Sequence, residues 1–317
     1  MNPPPETSVI VQTINLTKRY GKLVALNGLH LNIEEGECFG YIGPNGAGKT
    51  TTIRILATLL QPTWGEAKVC GYTVGYESRI IRPLMGYVPD FFGAYEDMVV
   101  QEYLEFFAAA YNIQGDQRRR VVGDVLELTD LAYKRDALVD SLSRGMKQRL
   151  SIARVLLHDP KVLFLDEPAS GLDPRARIEM RELLKELRRM GKTIIISSHI
   201  LHELAELCTT IGIIERGELL YKGSISEIVR RTKMGTTVEL KVGDRQAEAM
   251  AVVQQLEPVA SVTSDDGYVR VTMKQEMHDF GFLAYALLKA KLPLQEIREE
   301  QVNLETAFMR FTKGIVQ

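Results

Sequence analysis

The sequence predicts an α/β protein with a mainly parallel sheet, followed by a small α+β domain. From about Val9 to Val229, short apolar segments rich in β-branched residues alternate with longer segments of helical periodicity, which is the pattern of βαβ units. After "RRTKMGTT" the predicted order becomes strand, helix, two strands, helix and strand, the order of a split-βαβ, ferredoxin-like domain. The expected domains are a flexible tail over residues 1–8, a main domain over 9–234 and a C-terminal domain over 235–317.

Composition and charge exclude several classes of protein. The chain has 317 residues and a formal net charge of −2, so we expect no nucleic acid partner. No apolar run approaches the ~20 residues that a membrane-spanning helix needs. The opening "MNPPPETS" has no basic and apolar regions of a signal peptide. We therefore expect an intracellular protein without a membrane-spanning segment.

Polar residues directly follow three apolar segments of the chain, which are "ECFGYIGPNG", "KVLFLDEP" and "KTIIISSH". Such nearly continuous apolar runs are typical of strands that are buried on both faces of a sheet. The carboxyl ends of parallel strands lie along one edge of the sheet, where ligands bind. We therefore expect three groups of residues to meet at one edge of the sheet: the segment from Gly43 onward, Asp166–Glu167, and His199.

The segment "GPNGAGKTT" matches the phosphate-binding pattern G-x-x-x-x-G-K-[ST], and it follows an apolar strand and opens a helix. Its glycines allow successive backbone N–H groups to curl around a phosphate. Lys49 is expected to reach the β- and γ-phosphate oxygens of a nucleotide, and Thr50 to hold Mg²⁺. The predicted nucleotide-binding residues of this loop are Gly43, Pro44, Asn45, Gly46, Ala47, Gly48, Lys49, Thr50 and Thr51.

Two adjacent carboxylates end the apolar segment that begins at Val162. Neighbouring side chains of an extended chain point in opposite directions, so Asp166 can face Mg²⁺ while Glu167 faces an attacking water as general base. A capped turn after the strand is the alternative interpretation. His199 ends the next apolar segment, where it can hydrogen-bond a γ-phosphate or serve a purely structural role.

A second predicted helix, within "DSLSRGMKQRLSIARVLLHDP", also presents an end that suits a phosphate. Ser143 stands at its N-cap position, and the backbone N–H groups of the first turn are left free for an anion. The helix has one apolar stripe, formed by Met146, Leu150, Ala153 and Leu157. The chain thus carries two phosphate-binding helix ends that are far apart in sequence.

The ordered motifs resemble the nucleotide-binding subunit of an ATP-binding cassette (ABC) transporter. The resemblance covers roughly residues 9–230 and implies a P-loop NTPase cassette with a mixed sheet core and a helical subdomain at about residues 91–158. It further implies ATP and Mg²⁺ as cofactors, and a homodimer in which the signature helix of one cassette caps the ATP held by the other. The matching segments are Gly43–Thr50, "LSRGMKQRL", "VLFLDEP", "SGLDP" and "SSH".

The resemblance also implies roles for single residues. Tyr20 matches the aromatic that stacks on adenine, although the sequence alone leaves simple packing as an equal alternative. Ser143 and Gly145 match the signature contacts to the γ-phosphate. The remaining matches are Asp166 to the Mg²⁺-associated carboxylate, Glu167 to the catalytic base, Asp173 to the dimer-interface loop and His199 to the switch histidine.

Two positions depart from the family pattern. Arg144 replaces the usual first glycine of the signature, and it can point to solvent or contact phosphate. Asp90 stands where the family has a glutamine that contacts Mg²⁺ and relays motion to the membrane subunit. Aspartate can ligate Mg²⁺ but cannot donate through an amide, so we expect retained hydrolysis with altered coupling. An Asp90→Gln variant with unchanged ATPase and transport rates would contradict this. The predicted metal ligands are Thr50, Asp90 and Asp166.

The sequence therefore predicts the ATP-hydrolysing subunit of an ABC transporter, in the cytoplasm at the membrane, beneath separately encoded permease subunits. An exporter is favoured, with an importer ATPase or a soluble ABC mechanoenzyme acting on nucleic acid or ribosomes as alternatives. A non-hydrolysing cassette is disfavoured because all the catalytic motifs are present. The C-terminal domain is expected to serve in dimerisation, regulation or permease contact, and Phe91 and Phe92 either dock a permease helix or pack internally.

Overall fold

The structure is a computed structural model that describes residues 9–90, 93, 97–232, 237–265, 267–274 and 279–299. This part of the chain forms two compact units, one ending at Ile225 and the other starting at Ser226. The expected domain boundary at Gly235 lies outside the described residues, as do Phe91, Phe92 and the segment "NLETAFMRFTKG", which the sequence predicts to form a closing helix.

The described residues contain two kinds of regular element, whose bounds follow. The strands are β1 (Val9–Tyr20), β2 (Leu23–Glu34), β3 (Cys38–Ile42), β4 (Trp64–Val69), β5 (Tyr72–Thr73), β6 (Met85–Val88), β7 (Val162–Asp166), β8 (Thr193–Ser198), β9 (Thr210–Glu215), β10 (Glu218–Gly223), β11 (Thr237–Lys241), β12 (Val259–Asp265), β13 (Tyr268–Met273) and β14 (Glu296–Glu299). The α-helices are α1 (Lys49–Leu56), α2 (Ser78–Ile81), α3 (Val100–Ala110), α4 (Gly115–Leu128), α5 (Arg144–Leu156), α6 (Pro174–Arg189), α7 (Leu201–Ala205), α8 (Ile225–Thr232), α9 (Gln246–Val253) and α10 (Gly281–Lys289).

A six-stranded sheet in the order β10-β9-β3-β8-β7-β6 forms the centre of the first unit. Its strands β9, β3, β8, β7 and β6 pair in parallel, and β10 is antiparallel to β9. Every residue of β3, β7 and β8 is buried, which confirms that their apolar runs mark strands covered on both faces. The sheet edge at their carboxyl ends therefore holds the polar residues that follow them.

A second sheet in the first unit, in the order β2-β1-β4-β5, is antiparallel throughout. The expectation of βαβ units along the whole domain was wrong here. Only Gly21 and Lys22 separate β1 from β2, and so short a connection allows only antiparallel pairing, because a parallel crossover needs a dozen or more residues. The two sheets share one core cluster, in which Val11 and Leu26 pack with Phe39 and Tyr41.

Between β6 and β7 the described chain is helical, with α3, α4 and α5 packed against one another and one isolated bridge joining Val99 and Leu138. Tyr103 of α3 is fully buried, as expected for a core position. The helical spacing of Tyr103, Phe107 and Tyr111 in the sequence predicts that all three pack in the core of the helical subdomain, but Tyr111 is 39% exposed and stacks on His158 with 4.2 Å between ring centroids. It follows the end of α3 and therefore faces a surface groove.

The second unit contains an antiparallel sheet in the order β12-β13-β11-β14. Together with α9 and α10, this strand order is that of a split βαβ unit. Its core is formed by Val238 and Leu240 of β11 with Ala249 of α9 and Leu283 of α10, all fully buried. None of the helices within the described residues combines the length and apolar character that crossing a membrane requires.

Candidate active site

The loop between β3 and α1 is built so that its backbone can approach an anion. A Cβ at Gly43 would lie 2.2 Å from the carbonyl oxygen of Ile214, so only glycine fits there. Gly48, the N-cap of α1, has φ 110° and makes no side-chain cap hydrogen bond. The first N–H groups of an α-helix have no intrahelical partners, and they face a site that favours negative charge.

Lys49 lies over this loop, almost fully buried. Its Nζ donates to the carbonyl oxygens of Gly43 at 2.7 Å and Pro44 at 3.2 Å, and it lies 3.5 Å from Oε1 of Glu167. Burial lowers the pKa of Lys49 from its ordinary value, and the Glu167 carboxylate opposes that shift. The ammonium therefore lies between the carbonyl oxygens of the loop and the Glu167 carboxylate.

Asp166 ends β7 and accepts two hydrogen bonds on its Oδ1 atom. Thr50 Oγ1 donates at 3.0 Å and Ser197 Oγ at 2.7 Å. Burial raises the pKa of Asp166, while the hydrogen bonds from Ser197 and Thr50 oppose the shift. The Thr50 hydroxyl and the Asp166 carboxylate, 3.0 Å apart, supply the oxygen ligands that Mg²⁺ prefers, so the residues present fit this ion. Within the described ranges no cluster of three or more His, Cys, Asp or Glu side chains could hold a metal ion by itself. A Mg²⁺ site does not need such a cluster, because Mg²⁺ typically takes only one or two carboxylates together with substrate phosphates.

Glu167 adopts a left-handed backbone conformation with φ 49°. For a residue with a Cβ this conformation costs about 1–2 kcal/mol. Its Oε2 lies 2.7 Å from Nδ1 of His199, and its other oxygen faces Lys49. Asp166 and Glu167 thus point toward different partners. The prediction that Gly43, the two carboxylates and His199 meet at one sheet edge is confirmed.

The segment 43–51, which we name the phosphate loop, lines one cavity of about 250 Å³ through its residues 45–51. Tyr20, Leu23 and Ala25 of β2, and Glu167 complete the lining. The Tyr20 side chain is 47% exposed at the end of β1, with Lys18 Nζ 5.3 Å from the ring centroid. Tyr20 therefore lies outside the buried core and faces the cavity, and this position is compatible with both sequence interpretations, adenine stacking and simple packing. The loop residues that line the cavity are Asn45, Gly46, Ala47, Gly48, Lys49, Thr50 and Thr51.

The residues matched to the signature and to the dimer-interface loop form a second group, at the N-termini of α5 and α6, and none of them lines this cavity. Ser143 caps α5, accepting from the Met146 N–H at 3.3 Å, as predicted. A Cβ at Gly145 would lie 2.6 Å from Cβ of Ala176, so this glycine also allows α5 to pack against α6. Asp173 caps α6 through two backbone N–H groups, each at 3.0 Å.

The two unusual residues occupy distinct places. A Cβ at Gly171 would lie 2.6 Å from the guanidinium carbon of Arg144, so this side chain packs over the loop that leads from Glu167 to α6. The expectation that Arg144 points only to solvent or to phosphate did not include this contact. Asp90 is exposed two residues beyond β6, and β6 pairs in parallel with β7, so Asp90 lies at the same sheet edge as Asp166.

Sequence reasoning missed Ser197, which contacts both Asp166 and Glu167. A hydroxyl near the end of an otherwise apolar strand, two residues before His199, was the available signal. Leu23 and Ala25, which line the cavity from β2, had no recognisable signal because they look like ordinary strand residues.

Residues 26–170 match the family model described as ABC transporter. The chain is 36% identical over 298 residues to Nod factor export ATP-binding protein I of Paraburkholderia xenovorans (strain LB400), covering 93% of this chain and 94% of the relative. It is 30% identical over 306 residues to linearmycin resistance ATP-binding protein LnrL of Bacillus subtilis (strain 168), covering 96% and 98%.

Solved structures are similar to the first unit. The dimeric, post-hydrolysis structure of the ATP-binding cassette MJ0796 bound to ADP and Pi superposes with a TM-score of 0.62 at 28% identity, covering 68% of this chain and 98% of that chain. A structure of cbiO1 from Clostridium perfringens, part of the ABC transporter complex cbiONQ, gives a TM-score of 0.64 at 29% identity, covering 71% and 94%.

Proposed function

Because this chain belongs to the ABC transporter family, we propose that it is the ATP-hydrolysing subunit of an exporter and that it works with separately encoded permease subunits. One observation carries the proposal for the chemistry. The phosphate loop, Lys49, Asp166, Glu167 and His199 meet at one sheet edge, joined by contacts of 2.7–3.5 Å.

The loop and α1 bind the phosphates of ATP through backbone N–H groups, and Lys49 reaches the terminal phosphate oxygens. Tyr20 stacks on the adenine at the open end of the cavity. Thr50 and Asp166 hold Mg²⁺, with Asp90 at the same edge, and the ion when bound neutralises charge on the β- and γ-phosphate oxygens. The lining of the cavity by Tyr20 and by residues 45–51 supports this orientation.

Glu167 acts as the general base in hydrolysis. The oxygen of a water attacks the γ-phosphorus, the bond to the β–γ bridging oxygen breaks, and the water proton passes to the Glu167 carboxylate, giving ADP and phosphate. His199 lies 2.7 Å from this carboxylate and orients it. Lys49, 3.5 Å away, faces both the carboxylate and the terminal phosphate, so ATP binding and base placement are linked.

The α5 N-terminus supplies the second half of each ATP site. Ser143 and the neighbouring N–H groups do not line the cavity of their own chain, and we assign them to the γ-phosphate held by a second copy. Two cassettes close around two ATP molecules in this arrangement, and hydrolysis removes the phosphate that joins them. The dimeric state of the MJ0796 cassette supports the proposal.

Replacing Ser143 by aspartate is expected to prevent ATP-driven pairing without unfolding the chain. Aspartate caps a helix as well as serine does, and its charge favours the helix N-terminus, so we expect the melting temperature to stay within about 2 °C. The same carboxylate repels the γ-phosphate of the second copy, a like-charge contact that costs several kcal/mol. Phosphate release should fall by about tenfold or more, while ATP binding to the single chain is retained.

Ser141→Asp is the matched control for this variant. It adds the same charge two residues upstream, where the exposed Ser141 hydroxyl donates only to the Leu138 carbonyl oxygen at 2.7 Å. We expect this control to keep most of the ATPase rate. A Ser143→Asp variant that hydrolyses ATP as fast as Ser141→Asp would contradict the role of α5 in a composite site.

The names of the relatives support export over import, since one is a Nod factor export protein and another a linearmycin resistance protein. A tagged chain, recovered in mild detergent from membranes of its native host, tests the transporter assignment. A co-purifying polytopic membrane protein in comparable amount is the expected result. Recovery only from the soluble fraction, with ribosomes or nucleic acid, would overturn the exporter assignment and favour a soluble mechanoenzyme.

A further inference from the structure

The penultimate residue of strand β8 is a serine that contacts both adjacent carboxylate residues, Asp166 and Glu167. Ser197 is fully buried and is the direct partner of Asp166 in the parallel register of β7 and β8. Its neighbours earlier on the strand, Ile194, Ile195 and Ile196, are apolar and buried. The hydrogen bonds of this buried hydroxyl show what it holds.

The Ser197 hydroxyl makes one hydrogen bond as a donor and one as an acceptor. It donates its proton to Asp166 Oδ1 at 2.7 Å and accepts the backbone N–H of Glu167 at 3.0 Å. The same N–H also lies 3.2 Å from the Ser197 carbonyl oxygen. A hydroxyl has one proton to donate and lone pairs to accept, so this single group fixes both carboxylate residues at once.

The backbone of Glu167 explains why such a fixing group is needed. Its left-handed conformation is rare for a residue with a Cβ, and Pro168 disfavours the right-handed helical conformation at this position. Strained conformations of this kind persist only where the surroundings hold them. The two contacts from Ser197 to the Glu167 N–H hold the turn that aims the glutamate side chain toward Lys49 and His199.

We propose that Ser197 is a positioning residue for hydrolysis, which aligns the metal-binding Asp166 and the base Glu167 relative to each other. The proposal rests on the function proposed above. Ser197 does not itself line the ATP cavity and contacts it through Glu167, so its loss acts on the chemical step and on metal binding and leaves nucleotide affinity nearly unchanged.

A purely structural serine would give a different result, and the same strand offers the control. Thr193 at the start of β8 is also fully buried, and its hydroxyl accepts the Gly36 N–H at 2.9 Å, at the opposite end of the strand from the site. Thr193→Ala removes one buried hydroxyl from the same element without touching the carboxylates. Ser197→Thr keeps a hydroxyl at the site.

The experiment compares wild type, Ser197→Ala, Ser197→Thr and Thr193→Ala as purified full-length chains. For Ser197→Ala we expect kcat for ATP hydrolysis to fall by about tenfold to a hundredfold, with KM for ATP within about threefold. The affinity for Mn²⁺ in the presence of ADP, measured by electron paramagnetic resonance, should fall by about tenfold. Thr193→Ala should lower the melting temperature by about as much as Ser197→Ala does, but it should keep the wild-type kcat and Mn²⁺ affinity. Ser197→Thr should have most of the wild-type activity.

Three outcomes would overturn the proposal. These are equal kcat values for Ser197→Ala and Thr193→Ala, a Ser197→Ala defect confined to KM, or unchanged Mn²⁺ affinity. A folded Ser197→Thr variant without recovered activity would show that the hydroxyl is not the active group. Failure of the proposed function is distinguishable, because wild type itself would then release no phosphate in the same assay.

Discussion

Replacing Glu167 by glutamine is expected to slow ATP hydrolysis by about a thousandfold, within the range that a general base contributes, while ATP binding is retained. Glutamine has the size of glutamate, and its amide oxygen can still accept from His199, but it cannot take up the proton of the attacking water. ATP should therefore stay bound, and paired chains should persist in the presence of ATP. Phosphate release and sedimentation with ATP and Mg²⁺ measure the two effects.

Glu203→Gln is the matched control for Glu167→Gln. Glu203 is a partly buried carboxylate near the same strand end, where it contacts Arg177 at 3.5 Å and Ser198 at 3.5 Å. We expect this control to change kcat by no more than about threefold, since it touches neither the loop nor Glu167. A Glu167→Gln variant that retains a tenth or more of the wild-type rate would remove Glu167 from the role of base.

The second large effect is expected for Lys49→Ala, which should weaken ATP binding by about a hundredfold. Hydrogen bonds to charged groups contribute about 1.5–3 kcal/mol each, and the loss of two of them at the lower end of that range, about 3 kcal/mol, corresponds to roughly a hundredfold. The variant also leaves the Gly43 and Pro44 carbonyl oxygens without the donor that now holds them. Equilibrium binding of a fluorescent ATP analogue, with melting temperature as the check on folding, measures the effect.

Lys18→Ala provides the comparison for Lys49→Ala. Lys18 is a partly exposed lysine beside the Tyr20 ring, and its Nζ donates to the Gln61 carbonyl oxygen at 2.8 Å. Its loss should change ATP affinity by only about twofold, because exposed charges interact weakly with a ligand at a distance. If the two variants bound ATP equally well, Lys49 would not be the phosphate-binding lysine.

Local pattern was enough to predict the elements that carry the site. Strands β3, β7 and β8 are nearly continuous apolar runs. The polar residues that come after each run meet at one edge, because the carboxyl ends of parallel strands lie on the same side of a sheet. The N-cap at Ser143 was readable because capping depends on a few neighbouring residues. These are the features for which sequence and structure are linked over short distances.

Features that depend on register or on packing between distant segments were not predictable. The role of Ser197 follows from its pairing with Asp166 across two strands, and no local pattern encodes that register. The contact of Arg144 with Gly171 depends on how the loop after β7 packs on the start of α5. Tyr111 looked like a helix core residue by spacing, yet it lies just beyond the end of α3 and is exposed.

We expect each ATP site to combine the phosphate loop of one copy with the α5 N-terminus of another copy. Mixing Lys49→Ala with Ser143→Asp tests it directly, since each variant alone lacks one half of every site. A mixed dimer regains one intact site, built from the loop of the Ser143→Asp chain and the helix of the Lys49→Ala chain. Phosphate release should rise well above the mean of the two separate variants, to about a quarter of the wild-type rate for random pairing and independent sites. A mixture that hydrolyses ATP no faster than that mean would contradict the composite site.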